Sequence, residues 1–257
     1  MSKAPPIRYH GAGDTMHSFL ELEGVSFLAQ GRAIVDGFSY AFAEGRTTAL
    51  VGPSGCGKST VLKLAAGVLV PAGGRVLFQG RDLAAMTRQE NLAFHRFGSL
   101  VFQDSALWAN QSLRQILELP LSLHFPALSA REREERVQKA ARDVGYRRGL
   151  DVRPSALSMG EQKLIAFARA IITEPRLLFL DEWIESLDDA AERRLISLVK
   201  EHQQAGHTII FISHEVTVVR DLADCIVVLR GGKCCRVLRR EELRSDAELA
   251  EYLEETA

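Results

Sequence analysis

The stretch Thr47-Thr-Ala-Leu-Val51-Gly52-Pro-Ser-Gly-Cys-Gly-Lys58-Ser-Thr60 decides how this chain folds: a short apolar run breaks into a glycine-rich loop that ends in Lys-Ser-Thr. Gly52, Gly55 and Gly57 permit a tight turn whose N–H groups face inward, Lys58 adds a point charge, and Ser59 offers a hydroxyl. Val61, Leu62, Leu64, Ala65, Val68 and Leu69 then recur at helical spacing, so a helix N-terminus points its positive end at the same place. Strand, loop and helix together predict a phosphate cradle made by Gly52, Pro53, Ser54, Gly55, Cys56, Gly57, Lys58, Ser59 and Thr60, with Ser59 on Mg²⁺ and a nucleoside triphosphate as ligand.

The chain has 257 residues, 46% of them hydrophobic and 25% charged, enough for a sizeable core in one large or two modest domains. A formal net charge of −1 gives no electrostatic reason to expect nucleic acid as a partner. Apolar runs such as Leu164-Ile-Ala-Phe-Ala168 fall well short of the roughly 18 to 20 residues that a membrane span needs. If a membrane is involved, another chain is expected to cross it. The opening Met1-Ser-Lys-Ala-Pro-Pro does not read as a secretory signal, and the chain is expected in the cytoplasm. Four cysteines, Cys56, Cys225, Cys234 and Cys235, show no zinc spacing and are expected as reduced thiols, Cys56 being a tolerated small residue in the loop.

Residues 1–17 lack periodicity and read as a flexible extension, with Met16 an alternative start. Alternation through Phe19, Leu20, Leu22, Val25 and Phe27, and again through Phe38, Tyr40 and Phe42, predicts an antiparallel β layer. Gly73-Gly74 turns into a strand over Arg75–Gln79. From about 104 to 156 helix-type spacing predominates, so a helical subdomain is inserted there. Its clearest helix starts at the capping box Ser129-Ala-Arg-Glu132, and its run Arg131–Arg136 reads as a solvated face. Apolar strands Arg176–Leu180 and Thr208–Ile212 flank a helix from Asp189 to Gln204, which implies a parallel sheet. Cys225–Gly232 with Lys233–Leu238 reads as a hairpin and Glu241–Glu255 as an acidic terminal helix.

Chemistry-bearing residues gather at the ends of these strands. Leu177-Leu-Phe-Leu-Asp181-Glu182 closes on two carboxylates with separable tasks, Asp181 on Mg²⁺ and Glu182 orienting or deprotonating a water. His214 follows Phe211-Ile-Ser, at the carboxyl edge where ligands of parallel sheets collect. Gln103 follows Leu100-Val-Phe and brings a neutral amide oxygen suited to Mg²⁺. Leu157-Ser158-Met-Gly160-Glu161-Gln opens a further helix, and its small residues suit either a cap or an anion.

In this order, the phosphate loop, Gln103, Leu157-Ser-Met-Gly-Glu161, Leu-Phe-Leu-Asp181-Glu182, Ser186-Leu-Asp188 and His214 closely resemble the ATP-binding-cassette (ABC) ATPases, over residues 19 to about 240. The resemblance implies an α/β fold, a P-loop NTPase core with a mostly parallel sheet, an N-terminal antiparallel β layer and an inserted α-helical subdomain. It places the cassette over residues 18–240, followed by the acidic helix of 241–257. It also implies a head-to-tail dimer in which each ATP lies between one copy's phosphate loop and the other copy's Ser158, Gly160 and Glu161. Glu182 is then the catalytic base, His214 the γ-phosphate sensor, Gln103 the coupling residue and Asp188 a contact across the dimer. Integral membrane permease subunits are the further partners, and the chain is peripheral on the cytoplasmic face of the inner membrane.

Several residues depart from the family pattern. Met159 stands for the usual glycine, Trp183 for the usual proline, Glu185 for a small or hydroxyl residue, and Ala29 for the aromatic that stacks on adenine. Losing that stacking costs about 1 kcal/mol and predicts poor preference for ATP over GTP. The segment Phe102-Gln103-Asp-Ser-Ala-Leu-Trp108 with Leu119-Pro120-Leu121 is similar to the ATPases of Mla-type phospholipid transporters, so lipid is the expected cargo class. A soluble ABC ATPase outside transport and a regulatory nucleotide-binding module are the alternatives. The first would be expected to show tandem cassettes or a long insert; Trp183, Glu185 and Met159 prompt the second.

Overall fold

The computed structural model describes residues 18–243 and 245–254. The expected extension over 1–17, with Met16, lies outside them, as does the end of the acidic tail. In chain order, strands β1 (Ser18–Ala29) and β2 (Arg32–Ala43) lead to β3 (Thr47–Val51) and helix α1 (Lys58–Ala65). Strands β4 (Gly73–Phe78) and β5 (Arg81–Asp82), helix α2 (Arg88–Phe97) and strand β6 (Gly98–Val101) follow. Three helices come next, α3 (Leu113–His124), α4 (Ala130–Asp143) and α5 (Met159–Ile171), then β7 (Leu177–Asp181) and α6 (Asp189–Gln204). The chain closes with β8 (Thr208–Ile212), α7 (Val216–Leu222), β9 (Cys225–Arg230), β10 (Lys233–Arg239) and α8 (Asp246–Glu254).

These elements form two compact units, one of the described residues up to 91 and from 206 onward, the other of residues 92–205. The first contains two sheets. In the antiparallel one, β1 lies between β2 and β4, as the alternation of Phe19, Leu20, Leu22 and Val25 with polar neighbours requires. In the other, β3 is flanked by β8 and β9, both parallel to it, and β10 is antiparallel to β9. Every residue of β3 and β8 is buried, which is why both read as unbroken apolar runs rather than as alternation. The second unit pairs β6 with β7, again in parallel, beside its helices. An α/β fold with a mostly parallel sheet and a separate antiparallel layer is therefore what the sequence specifies.

Boundaries moved in four places, the first being α1, which ends at Ala65 and leaves Val68 and Leu69, expected on its apolar face, beyond it. The strand expected over Arg75–Gln79 runs from Gly73 to Phe78, because Gly73 already pairs with Ser26 of β1 and Gln79 turns away in the left-handed region with φ 50°. The strand expected from Arg176 starts at Leu177 and ends on Asp181 itself. The terminal helix expected from Glu241 starts at Asp246, since residues 240–242 form a single 3₁₀ turn first.

The run Arg131–Arg136 is more than a solvated face. Ser129 and Glu132 form the predicted capping box of α4, with Ser129 N–H donating to Glu132 at 2.8 Å. Arg133 and Glu134, however, sit four and three residues before the buried Val137, on the border of its apolar stripe. Arg133 donates to Glu118 of α3 at 2.9 Å, and Glu134 accepts from Arg114 of the same helix. Arg114 also donates to Asp151 at 2.8 Å, so one guanidinium joins α3, α4 and the loop after α4.

Hydrogen bonds from Arg114 hold Glu134 and Asp151 below their ordinary values of 4.5 and 3.8. A depressed carboxylate stabilises the fold above its unfolded value and loses that contribution as the pH falls through the folded value. The Arg114 network should therefore contribute fully at neutral pH and lose that contribution as the pH falls from the ordinary carboxylate values through the lowered ones. Arg114→Met should lower the thermal midpoint at about pH 7, and the difference from the unaltered chain should shrink steadily as the pH is lowered through the acid range.

Candidate functional site

In the first unit, strand β3 delivers the chain into the phosphate loop. Gly52 has φ 143° and Gly57 has φ 103°. A Cβ on Gly52 would lie 2.2 Å from the carbonyl oxygen of Leu229, and one on Gly57 2.8 Å from that of Ile34. Only glycine fits at either place. The Lys58 side chain is buried and donates to the carbonyls of Gly52 at 2.7 Å and Pro53 at 3.0 Å. The lysine thus holds the two ends of its own loop together. Cys56 is buried as well, and burial pushes its thiol up against the opposing pull of the Lys58 ammonium, which fits an inert small residue.

A turn that reads only as the end of a hairpin buttresses this loop. Gly232 N–H donates to the Cys56 carbonyl at 3.0 Å, and the Gly232 carbonyl accepts from Asp36 N–H at 3.1 Å. A Cβ on Gly232 would lie 2.4 Å from the Ile34 carbonyl. The sequence carried no signal for this role, since Gly231-Gly232 is what a two-residue hairpin turn with positive φ at both positions calls for by itself.

His214 belongs to the same unit. Parallel register pairs Leu50 of β3 with Ile212 of β8. Gly52 and His214, each two residues further on, therefore leave the sheet at one edge, and His214 is exposed there. The donor set of Gly52–Thr60, a cation with a helix N-terminus and a hydroxyl, fits a polyphosphate with its Mg²⁺. Ala29 ends β1 exposed, with Phe27 half-buried.

The second unit repeats the same geometry with different groups. Val101 of β6 pairs with Leu180 of β7. Gln103 and Glu182, again two residues further on, meet with the Gln103 amide donating to the Glu182 carboxylate at 2.5 Å. That bond fixes the orientation of the amide and leaves its carbonyl oxygen for a cation. Asp181 is fully buried at the end of β7. Glu182 adopts φ 46°, a left-handed conformation unusual for a residue with a side chain.

Two neighbours hold it there. The Lys163 ammonium of α5 donates to the Glu182 carbonyl at 2.5 Å. Trp183 is fully buried, its ring 5.6 Å from that of Phe167 on the same helix. The departure from the family proline is thus a large apolar anchor, although its indole N–H is buried with no hydrogen-bond partner. Burial lowers the Lys163 pKa, while Glu185, Glu182 and Asp181 act in the opposite sense. Sequence reading missed Lys163, because α5 is buried nearly all round and one lysine among its apolar residues carries no periodic signal.

At the start of α5, Ser158 and Glu161 cap each other, with Ser158 N–H to the Glu161 carboxylate at 2.9 Å and Glu161 N–H to the Ser158 hydroxyl at 3.2 Å. Arg148 adds an ion pair to Glu161 at 3.0 Å and holds its carboxyl, with the Ser158 N–H first among the causes, below the usual range. Met159 and Gly160 supply the first-turn N–H groups that this cap does not use. A Cβ on Gly160 would lie 3.1 Å from the Ser186 carbonyl, so α5 starts close to the segment after Glu182. Asp188 caps α6, accepting from Ala190 N–H at 3.0 Å and Ala191 N–H at 2.8 Å. Trp108 is not a core aromatic: it is 46% exposed, with the Arg169 guanidinium 5.5 Å over its ring.

The structure therefore brings Gln103, Asp181 and Glu182 together in one unit, and aligns His214 with the phosphate loop and Ser59 in the other. Among the described residues no group of three or more His, Cys, Asp or Glu side chains forms a metal cage of its own.

Residues 35–185 match the ABC transporter family. The nickel import ATP-binding protein NikE of Shigella flexneri serotype 5b is 35% identical over 214 residues, covering 82% of this chain and 80% of that protein. NikE of Escherichia coli strain K12 is 35% identical over 208 residues, covering 79% and 77%. Among solved structures, the dimeric bacterial ABC transporter cassette MJ0796 superposes with a TM-score of 0.79 at 25% identity, covering 86% of this chain and 98% of that one. The cbiO1 protein of Clostridium perfringens, part of the ABC transporter complex cbiONQ, gives 0.72 at 26%, covering 91% and 92%. The chain belongs to the ABC transporter family. It is an ATPase subunit of that class, working with ATP and Mg²⁺.

Removing the Trp183 anchor tests whether the segment after Glu182 depends on it. Trp183→Ala should cost about 3 to 5 kcal/mol in urea denaturation, the range for deleting a buried aromatic.

Proposed function

We propose that this chain is the energy-coupling ATPase of a transporter, working as a head-to-tail pair with a second copy and driving separate permease subunits from the cytoplasmic face of the cell membrane. No described helix is long and apolar enough to cross a membrane, so the proposal assigns the crossing to those subunits. The observation that carries the catalytic part is the Glu182 carboxylate, held beside the Gln103 amide at 2.5 Å with its backbone fixed by Lys163.

In this reading Gly52, Pro53, Ser54, Gly55, Cys56, Gly57, Lys58, Ser59 and Thr60 take the phosphates. Glu182 accepts the proton of the attacking water, and His214 hydrogen-bonds the γ-phosphate. Ser59, Gln103 and Asp181 are the oxygen donors that would hold Mg²⁺, which would neutralise phosphate charge. Ser158, Gly160 and Glu161 close over the ATP of the second copy, with the N–H groups of Met159 and Gly160 as donors and Asp188 beside them. The cassette spans residues 18–240, with the helical insertion at about 104–156.

Lipid is the proposed cargo class. The sequence from Phe102 to Trp108, with Leu119-Pro120-Leu121, supports it. Leu119 and Leu123 lie four residues apart on α3, on one face suited to an apolar partner. The nickel import relatives favour a second reading, a metal-ion importer, at 35% identity.

Purification in detergent should bring down a multispanning partner, and its identification decides the cargo. A lipid-binding permease supports the first reading and a metal permease the second, while finding only soluble partners removes both.

Glu182→Gln should keep ATP binding and pairing of the two copies but lower turnover by about 10² to 10⁴, or roughly 3 to 5 kcal/mol. Unchanged turnover would remove Glu182 as the base. Lys58→Ala should abolish ATP binding, measured by equilibrium titration, because the phosphates lose their main cation.

A further inference from the structure

Glu182 occupies a conformation that it would not adopt by itself. Its φ of 46° lies in the left-handed region that a residue with a side chain rarely adopts, so its surroundings must impose it. Three contacts do so, all within one unit. Gln103 fixes the carboxylate, Trp183 anchors the next residue against Phe167, and Lys163 fixes the carbonyl at 2.5 Å. Of these, Lys163 stands out chemically. It is a lysine only 4% exposed, and burying an ammonium is costly unless a specific interaction returns the loss. A hydrophobic residue at this point of α5 would pack without that cost. The charge is retained where it reaches the backbone of one residue and lies in the field of Asp181, Glu182 and Glu185.

Lys163 also sits one turn and a half beyond Ser158, the cap of α5. Five residues of helix rise about 7.5 Å, a short and stiff connection. At its start the same helix approaches the Ser186 carbonyl through Gly160. The segment from Glu182 to Ser186 is therefore bonded to α5 at one end by Lys163 and lies close against it at the other, at Gly160. Ser186 too is left-handed, with φ 67°.

We propose that Lys163 is a positioning residue for the hydrolytic reaction: its ammonium holds the Glu182 backbone so that the carboxylate faces the water to be deprotonated. In this role Lys163 acts through Glu182, whose carbonyl is its hydrogen-bond acceptor. The inference rests on Glu182 being the base.

The test compares steady-state ATP hydrolysis by the full chain in Lys163→Met and Lys163→Arg, each with and without Glu182→Gln. Lys163→Met keeps all but one atom of the length, stays unbranched and removes the donors. It should lower kcat about 10- to 100-fold, the scale for a misplaced catalytic group, with KM for ATP changed less than about threefold. Lys163→Arg keeps both charge and N–H donors and should recover most of kcat. Added to Glu182→Gln, Lys163→Met should cause almost no further loss, because two changes acting through one group are not additive. Normal kcat in Lys163→Met overturns the proposal, as does a full additional loss in the double variant. If Lys163→Met does not fold, Lys163→Gln replaces it in both comparisons, since its amide stops one bond short of the carbonyl. Unchanged turnover in Glu182→Gln alone would instead bring down the reading of the base, whereas loss there with normal turnover in the Lys163 variants brings down only the role of Lys163.

Discussion

Parallel strands leave a sheet through the same edge, and in each unit of this protein the register of one such pair decides which side chains meet. Leu50 opposite Ile212 puts the phosphate loop and His214 at one edge, and Val101 opposite Leu180 does the same for Gln103 and Glu182. In both pairs the residues concerned lie two positions past the matched ones. A slip of one residue would turn the side chains of a strand to its other face and separate Gln103 from Glu182. Packing of the strands thus sets the chemistry at their ends.

Buried lysines perform the same physical task in both units. Lys58 donates to the carbonyls of Gly52 and Pro53, and Lys163 to that of Glu182. An ammonium has three donors on a flexible stem and can gather backbone carbonyls that no strand or helix pairs. Both lysines therefore hold loops whose backbone is left-handed at key points, Gly52 and Gly57 in one case and Glu182 in the other. Glycine makes that conformation easy in the phosphate loop. At Glu182 the side chain is needed for chemistry, glycine is not an option, and the strain must be offset by contacts.

The parts of the site that could be read from the sequence were those with local rules. The glycine spacing of Gly52–Thr60, the strand ends at Asp181 and His214, and the capping box Ser158–Glu161 each follow from neighbouring residues. So did α6 and β8, whose limits matched the apolar and capping pattern. What could not be read was long-range. Lys163 lies 19 residues from the carbonyl it holds, and Gly232 is far in sequence from the Cys56 carbonyl it supports. No periodicity links either pair. Trp108 illustrates the converse error open to sequence reasoning, since a large aromatic in an apolar segment reads as core while the fold leaves it 46% exposed under Arg169.

Helix α5 connects these features. Its start presents the N–H groups of Met159 and Gly160, Lys163 holds the backbone of Glu182, and near its end Arg169 donates to the carbonyls of Ala106 at 2.7 Å and Ser105 at 3.1 Å. Ser105 and Ala106 are left-handed as well, with φ 62° and 44°, and they follow Gln103 directly after Asp104. One rigid rod thus carries two cations that pin two strained loops, one ending at the carboxylate and one beginning at its amide partner. Burial lowers the Arg169 pKa against the pull of Asp104, and the cation is held by those two carbonyls and by the Trp108 ring beneath it. Displacing α5 along its axis would move both pins at once, while displacing either loop alone would break a charge-assisted hydrogen bond inside the protein, a loss of about 1.5 to 3 kcal/mol. The Gln103–Glu182 contact is consequently a property of the helix that holds both loops as much as of the two residues that make it.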